Sequence, residues 1–215
     1  LARVSATSVL GDLADCDLVI ESVVEVLATK LELFNELDRV CKPEAILATN
    51  TSTLPVIEMA VTTGRADKVC GVHFFNPAPM MSLVEIIETL VSSDETIAAV
   101  RTFAESCGKS PVLVKDRAGF IVNALLFPYL NNAVRMLENA TASRDDIDEA
   151  MKGGCGFPMG PLALLDLVGL DTSLSILDAL YNEFRDPNYA AVPLLRRMVA
   201  AGHLGRKSGA GFYDY

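Results

Sequence analysis

The sequence predicts an α/β fold, a doubly wound sheet followed by an all-α domain, and three observations predict it. Apolar runs of strand length alternate with stretches of helical periodicity through the first half of the chain. Beyond Asp116 the strand-like runs stop, and long apolar segments of helical spacing take over, separated by Gly- and Pro-rich joints. The 215 residues are 51% apolar, enough for substantial cores and far too apolar for a disordered chain.

The elements follow in order. Residues 17–24 form a nearly continuous apolar run, the pattern of a strand buried on both faces of a parallel sheet. Leu27, Leu31, Phe34, Leu37 and Cys41 then recur at helical spacing, and Pro43 ends the helix. Residues 45–50 predict the next strand. Residues 51–58 turn into a second helix, whose N–H groups the hydroxyls of Thr51, Ser52 and Thr53 can cap. Residues 69–75 give a third strand. This β-α-β-α-β order predicts parallel strands with helices on both faces. A further strand at 83–89 is followed by Ser92 and Glu95 at capping-box spacing, then by a helix with Ile97, Val100, Ala104 and Cys107 as its buried stripe. Gly108 suits the C-terminus of that helix, and 111–115 reads as one more strand. The domain boundary is expected near 116–119, giving domains of residues 1–116 and 117–215. The second opens with a long apolar helix, 120–137, interrupted only by Pro128.

Charge and composition narrow the function. Eighteen basic against 28 acidic residues leave a net charge of −10, which argues against a nucleic-acid or anionic-membrane surface. A polyanionic ligand would have to rely on local cations and helix N-termini. No apolar stretch reaches the roughly 18 residues of a membrane span, and the start shows no signal-peptide pattern. The chain lacks an initiator methionine and is expected to begin inside a longer protein. Five cysteines without a Cys-x-x-Cys pair predict neither a disulfide framework nor a metal site, and suit a reducing compartment. The cytoplasm fits, with the mitochondrial matrix as the alternative.

The chemistry concentrates at residues 71–87. His73 is one of only two histidines, and Glu85 follows 12 residues later inside an apolar run. Pro77 and Pro79 cannot continue a strand, so the chain must reverse between them. A tight reversal brings imidazole and carboxylate side by side. A carboxylate on one ring nitrogen fixes the tautomer and leaves the other nitrogen free to accept a proton. The competing reading is an ordinary half-buried histidine between Val72 and Phe74.

The segment His-Phe-Phe-Asn-Pro at 73–77, followed by Val-Glu-Ile-Ile at 84–87, resembles the signature of the 3-hydroxyacyl-CoA dehydrogenase family. The resemblance runs from Asp-Leu-Val-Ile-Glu at 17–21 to Gly-Phe-Tyr at 211–213, with several motifs in the family's order. It implies an NAD-dependent oxidation of a (S)-3-hydroxyacyl-CoA to a 3-oxoacyl-CoA, or the reverse, in fatty-acid or butanoate metabolism. It also implies a Rossmann-type sheet of which this chain carries the C-terminal half. The Gly-x-Gly-x-x-Gly turn is absent; about two βα units, roughly 60–70 residues, would be missing. On that ground the 215-residue chain by itself is expected to bind NADH negligibly and to be inactive. A single helical domain is similar to the short-chain members of the family, which act on 3-hydroxybutyryl-CoA.

Residue by residue, the resemblance implies His73 as base with Glu85 as its partner, and Ser52 holding substrate oxygen beside the nicotinamide. It implies Asn123 as a substrate contact at the start of the second domain. Glu25, Lys30, Ser52 and Asn76 are implied on the cofactor side. Each has a plainer alternative: Ser52 as a helix cap, Asn76 as a turn residue, Glu25 and Lys30 as solvated surface charges. His203 and the glycine-rich end, with Gly205, Gly209 and Gly211, read as structural. The apolar surface of 120–137 and 162–170 predicts a homodimer through the helical domain. Two rival functions remain: a hydroxy-acid dehydrogenase of the L-gulonate type, and a non-catalytic, crystallin-like structural dimer.

Overall fold

The computed structural model describes residues 4–215. The chain forms two compact units, the first ending at Phe120 and the second running Ile121–Tyr215.

The first unit is built on five strands: β1 (Leu18–Glu21), β2 (Ile46–Thr49), β3 (Val69–Phe74), β4 (Leu83–Glu88) and β5 (Ser110–Lys115), lying in the order β1-β2-β3-β4-β5. The first three are parallel, as the alternation with helices predicts. β4 then runs antiparallel to β3, and β5 parallel to β4. The helices are α1 (Leu27–Val40), α2 (Val56–Val61) and α3 (Asp94–Ser106). Because side chains alternate across a strand, β1 to β4 each feed two cores. Leu47, Val69 and Ile87 pack with Phe34, Leu37, Val56 and Met59 of α1 and α2. Ala48, Cys70, Val72, Val84 and Ile86 pack instead with Ile97 and Val100 of α3. The doubly wound architecture is therefore what the chain adopts.

Two details place the site. Gly71 pairs with Ile87, and a Cβ at 71 would stand 2.8 Å from the isoleucine Cβ, so glycine lets these strands close at that rung. Two residues on, the same register puts His73 opposite Glu85 on the same face. The turn that makes this possible spans 75–82, where the Lys109 ammonium donates to the carbonyls of Ala78 at 2.5 Å and Met81 at 2.8 Å.

Helix capping departs from expectation twice. The hydroxyls before α2 do not cap it. Asp116, some 60 residues away in sequence, accepts from Val56 N at 3.1 Å and Ile57 N at 2.7 Å. A carboxylate satisfies two N–H groups at once and opposes the positive end of the helix dipole, which a hydroxyl cannot match. Thr51 Oγ1 instead accepts from Leu54 N within the preceding turn, at 3.0 Å. At α3 the cap is Ser93, whose hydroxyl accepts from Thr96 N. Ser92 is unavailable because its hydroxyl bonds Thr89 and donates to the Val69 carbonyl at 2.6 Å.

The second unit contains α4 (Val122–Glu138), α5 (Arg144–Cys155), α6 (Pro161–Val168), α7 (Leu170–Phe184) and α8 (Pro193–Ala200). Two buried carboxylates tie its ends together. Asp148 accepts from Leu162 N, Ala163 N and the Tyr213 hydroxyl, all within 2.9 Å. Burial, and then that bond to Asp148, push the Tyr213 phenol up. Asp166 accepts from Phe212 N at 2.9 Å and Tyr213 N at 2.8 Å, and a Cβ on Gly211 would sit 2.0 Å from its Oδ1. The glycine-rich end is a packed segment that leaves room for a carboxylate, as the sequence suggested. His203 is exposed.

Candidate active site

The C-terminal ends of β1, β2 and β3 converge on one rim, the position where open α/β sheets bind ligands. Ser52 lies just beyond β2 and His73 near the end of β3. Ser52 Oγ stands 3.1 Å from His73 Nε2, and His73 Nδ1 stands 2.8 Å from Glu85 Oε2. Glu85 is 0% exposed and His73 only 5%. In the tautomer that donates its Nδ1 proton to the buried carboxylate, Nε2 is left to accept from the serine hydroxyl. Two aromatic rings, Phe75 and Phe120, contact the imidazole with centroids at 4.6 and 5.5 Å.

The loop that carries Ser52 is held from the segment between β1 and α1. Glu25 Oε1 accepts from the Thr51 hydroxyl at 2.5 Å, from Ser52 N at 2.9 Å and from Thr53 N at 3.4 Å. Lys30 lies 3.3 Å from the other Glu25 oxygen and bonds both oxygens of Glu21 at 2.7 and 2.9 Å. Lys30 is 0% exposed and Glu21 4%, so the solvated-surface alternative for Lys30 is wrong. Its ammonium sits inside the first unit as the counter-charge of two glutamates. The methylenes bury with it, which a lysine one turn into a helix does not advertise.

The remaining candidates are placed separately. Asn76 is exposed on the β3–β4 turn. Asn123 belongs to the second unit, in the first turn of α4, and is 8% exposed. Three contributors had no role assigned to them from the sequence. Asn50 Oδ1 accepts from Phe74 N at 2.8 Å, which pins the residue after the histidine to the end of β2. Thr49 donates its hydroxyl to Glu21 Oε2 at 2.7 Å. Phe120 packs on the imidazole from 47 residues away in sequence. Only Asn50 left a trace, as the first residue of the Asn-Thr-Ser stretch, 50–52, that ends an apolar strand. No group of three His, Cys, Asp or Glu side chains suited to a metal occurs among the described residues.

Residues 1–117 match the family model for "3-hydroxyacyl-CoA dehydrogenase, NAD binding domain", and residues 119–215 match "3-hydroxyacyl-CoA dehydrogenase, C-terminal domain". The chain belongs to the 3-hydroxyacyl-CoA dehydrogenase family. It is 51% identical to a 3-hydroxybutyryl-CoA dehydrogenase of Clostridioides difficile over 215 residues, which is all of this chain and 76% of that protein. It is 49% identical to the mitochondrial hydroxyacyl-coenzyme A dehydrogenase of Mus musculus over 93% of this chain and 64% of that protein. The crystal structure of (S)-3-hydroxybutyryl-CoA dehydrogenase from Ralstonia eutropha superimposes with a TM-score of 0.97 at 45% identity, over 100% of this chain and 76% of that one. Membership makes NAD the cofactor of the family's first domain. The rim offers polar groups to a ligand: the Ser52 hydroxyl, an exposed carboxamide at Asn76, and Glu25 at the mouth of the loop.

Proposed function

We propose that the protein oxidises (S)-3-hydroxybutyryl-CoA to its 3-oxo thioester with NAD, or runs the reverse reduction. The assembled Ser52–His73–Glu85 array carries the reading. His73 Nε2 takes the proton of the substrate's 3-hydroxyl, and Glu85 stabilises the imidazolium that forms. Ser52 donates its hydroxyl to the same substrate oxygen and orients it toward Nε2. Glu25 holds the backbone of Ser52 and Thr53 while Lys30 balances its charge, so Lys30 acts through Glu25 rather than on a ligand. Asn76 is assigned to the cofactor side, and Asn123 to the substrate, from the family resemblance. Bound at this rim, NAD supplies the hydride acceptor.

The rival L-gulonate reading predicts turnover of free sugar acids. Assayed by NADH absorbance, the full-length enzyme is expected to oxidise 3-hydroxybutyryl-CoA and to leave L-gulonate untouched. Preference for the free acid would overturn the assignment. A purely structural dimer has no use for a serine, a histidine and a buried glutamate in bonding order. All five cysteines are free, which supports a reducing compartment, and the cytoplasm is the proposed one. No helix of the described residues is long and apolar enough to cross a membrane.

We also propose a homodimer formed through the helical unit. Leu125, Met136, Leu167 and Val168 remain exposed there, at 72, 44, 49 and 36%. Apolar helix surface of this kind marks an interface. Light scattering at micromolar concentration is expected to give twice the mass of one protomer; a monomer mass would refute the dimer.

A further inference from the structure

We propose that Phe120 is a positioning residue for His73, holding the imidazole at the tilt that keeps Nδ1 on Glu85 and Nε2 on Ser52. Backbone strain is the first observation. Phe120 has φ +49 and directly follows Gly119 at φ +74, so two successive residues are left-handed. Among the described residues, only Ala140 and Arg185 share positive φ without being glycine. Those two terminate helices: Ala140 follows the C-cap of α4, and Arg185 is the C-cap of α7. A left-handed residue there closes the last turn. Phe120 precedes α4, where no such role exists. An aromatic residue persists in this conformation only where its surroundings over-determine it, and such residues cluster at functional sites.

The second observation is where the strain delivers the ring. Phe120 is 6% exposed, packed among Phe34, Met59 and Ile87, and its centroid lies 5.5 Å from that of His73 at 59°. Phe75 lies 4.6 Å away at 55°. The two polar partners of His73 fix the direction of its nitrogens. Those two bonds oppose rotation about the Cβ–Cγ bond, a broad and roughly two-fold torsion, and the packed rings restrict it further. The segment bearing Phe120 is itself anchored: Asp116 caps α2, and Phe120 N donates to the Arg117 carbonyl at 3.0 Å. The turn from 116 to 120 thus runs between the helix after the Ser52 loop and the face of the base.

The proposal rests on His73 being the base, and its test includes a readout that needs no turnover. His73 and His203 are the chain's only histidines, and His203 is exposed, so imidazole-15N labelling gives one buried and one reference spin system. The wild-type His73 ring is expected to show a single tautomer, protonated at Nδ1. Phe120→Leu keeps apolar volume and loses the ring. In the full-length enzyme it is expected to lower kcat by roughly 10- to 100-fold, to leave both KM values within about threefold, and to draw the two His73 nitrogen shifts toward averaging. Phe120→Met stands in if the leucine variant does not fold, and Phe120→Tyr, which keeps the ring, is expected to restore the single tautomer. An unchanged His73 spectrum in the folded leucine or methionine variant overturns the proposal, whatever the rate. Full activity in His73→Gln would instead strike the base assignment, and the nitrogen spectrum would still judge Phe120.

Discussion

Replacing His73 by glutamine in the full-length enzyme is expected to lower kcat by roughly 10²–10⁴-fold, or ~2.7–5.5 kcal/mol of transition-state stabilisation. Glutamine keeps polarity and approximate size, so substrate binding changes far less. Glu85→Gln is expected to fall in the same range for a different reason. Its carboxylate is fully buried and accepts the Nδ1 proton at 2.8 Å. An amide can donate toward Nδ1 instead, favouring the tautomer whose Nε2 already carries a proton, and it offers no negative charge to the imidazolium. The double variant should therefore lose little more than either single one, because both remove one unit of function. Steady-state kinetics on 3-hydroxybutyryl-CoA with saturating NAD would measure all three. A near-wild-type kcat for His73→Gln would remove the base, and strictly multiplicative losses would separate Glu85 from it.

The sequence made the fold and the centre of this site legible, because both depend on short-range pattern. Apolar runs of strand length and apolar spacing of period 3.6 located β1 to β5 and α1 to α3 within a few residues. Pro77 and Pro79 forced a reversal between two apolar runs, and the reversal puts His73 opposite Glu85. What stayed hidden depends on partners distant in sequence. Asp116 resembles any acidic residue at a strand end until α2 is seen to deliver its N–H groups to it. Ser92 and Ser93 are equivalent by pattern, and only the Val69 carbonyl distinguishes them. Phe120 reads as the first apolar residue of a helix, whereas the helix begins at Val122 and the phenylalanine faces the base. Lys30 misled most, since a lysine in a first helical turn is exposed far more often than not.

Lys30 also yields the largest stability effect expected. Lys30→Met is expected to destabilise the first unit by ~3–5 kcal/mol, the cost of leaving a buried charge without its partner. Glu21 accepts from Val23 N, Thr49 Oγ1 and, twice, from the Lys30 ammonium. Methionine replaces the packed methylenes well, so the loss lies in the carboxylate left behind and in Glu25, whose second oxygen faces the same ammonium. Adding Glu21→Gln to Lys30→Met removes that charge and is expected to recover about half of the loss. Tyrosine fluorescence cannot follow this, because the chain has no tryptophan and its five tyrosines all lie beyond residue 121. Hydrogen exchange of the β1 and β2 amides reads the first unit directly. If Lys30→Met alone stays within about 1 kcal/mol of wild type there, the pair contributes no more than an exposed ion pair does. Recovery in the double variant would instead assign the cost to the unpaired Glu21 carboxylate rather than to lost packing.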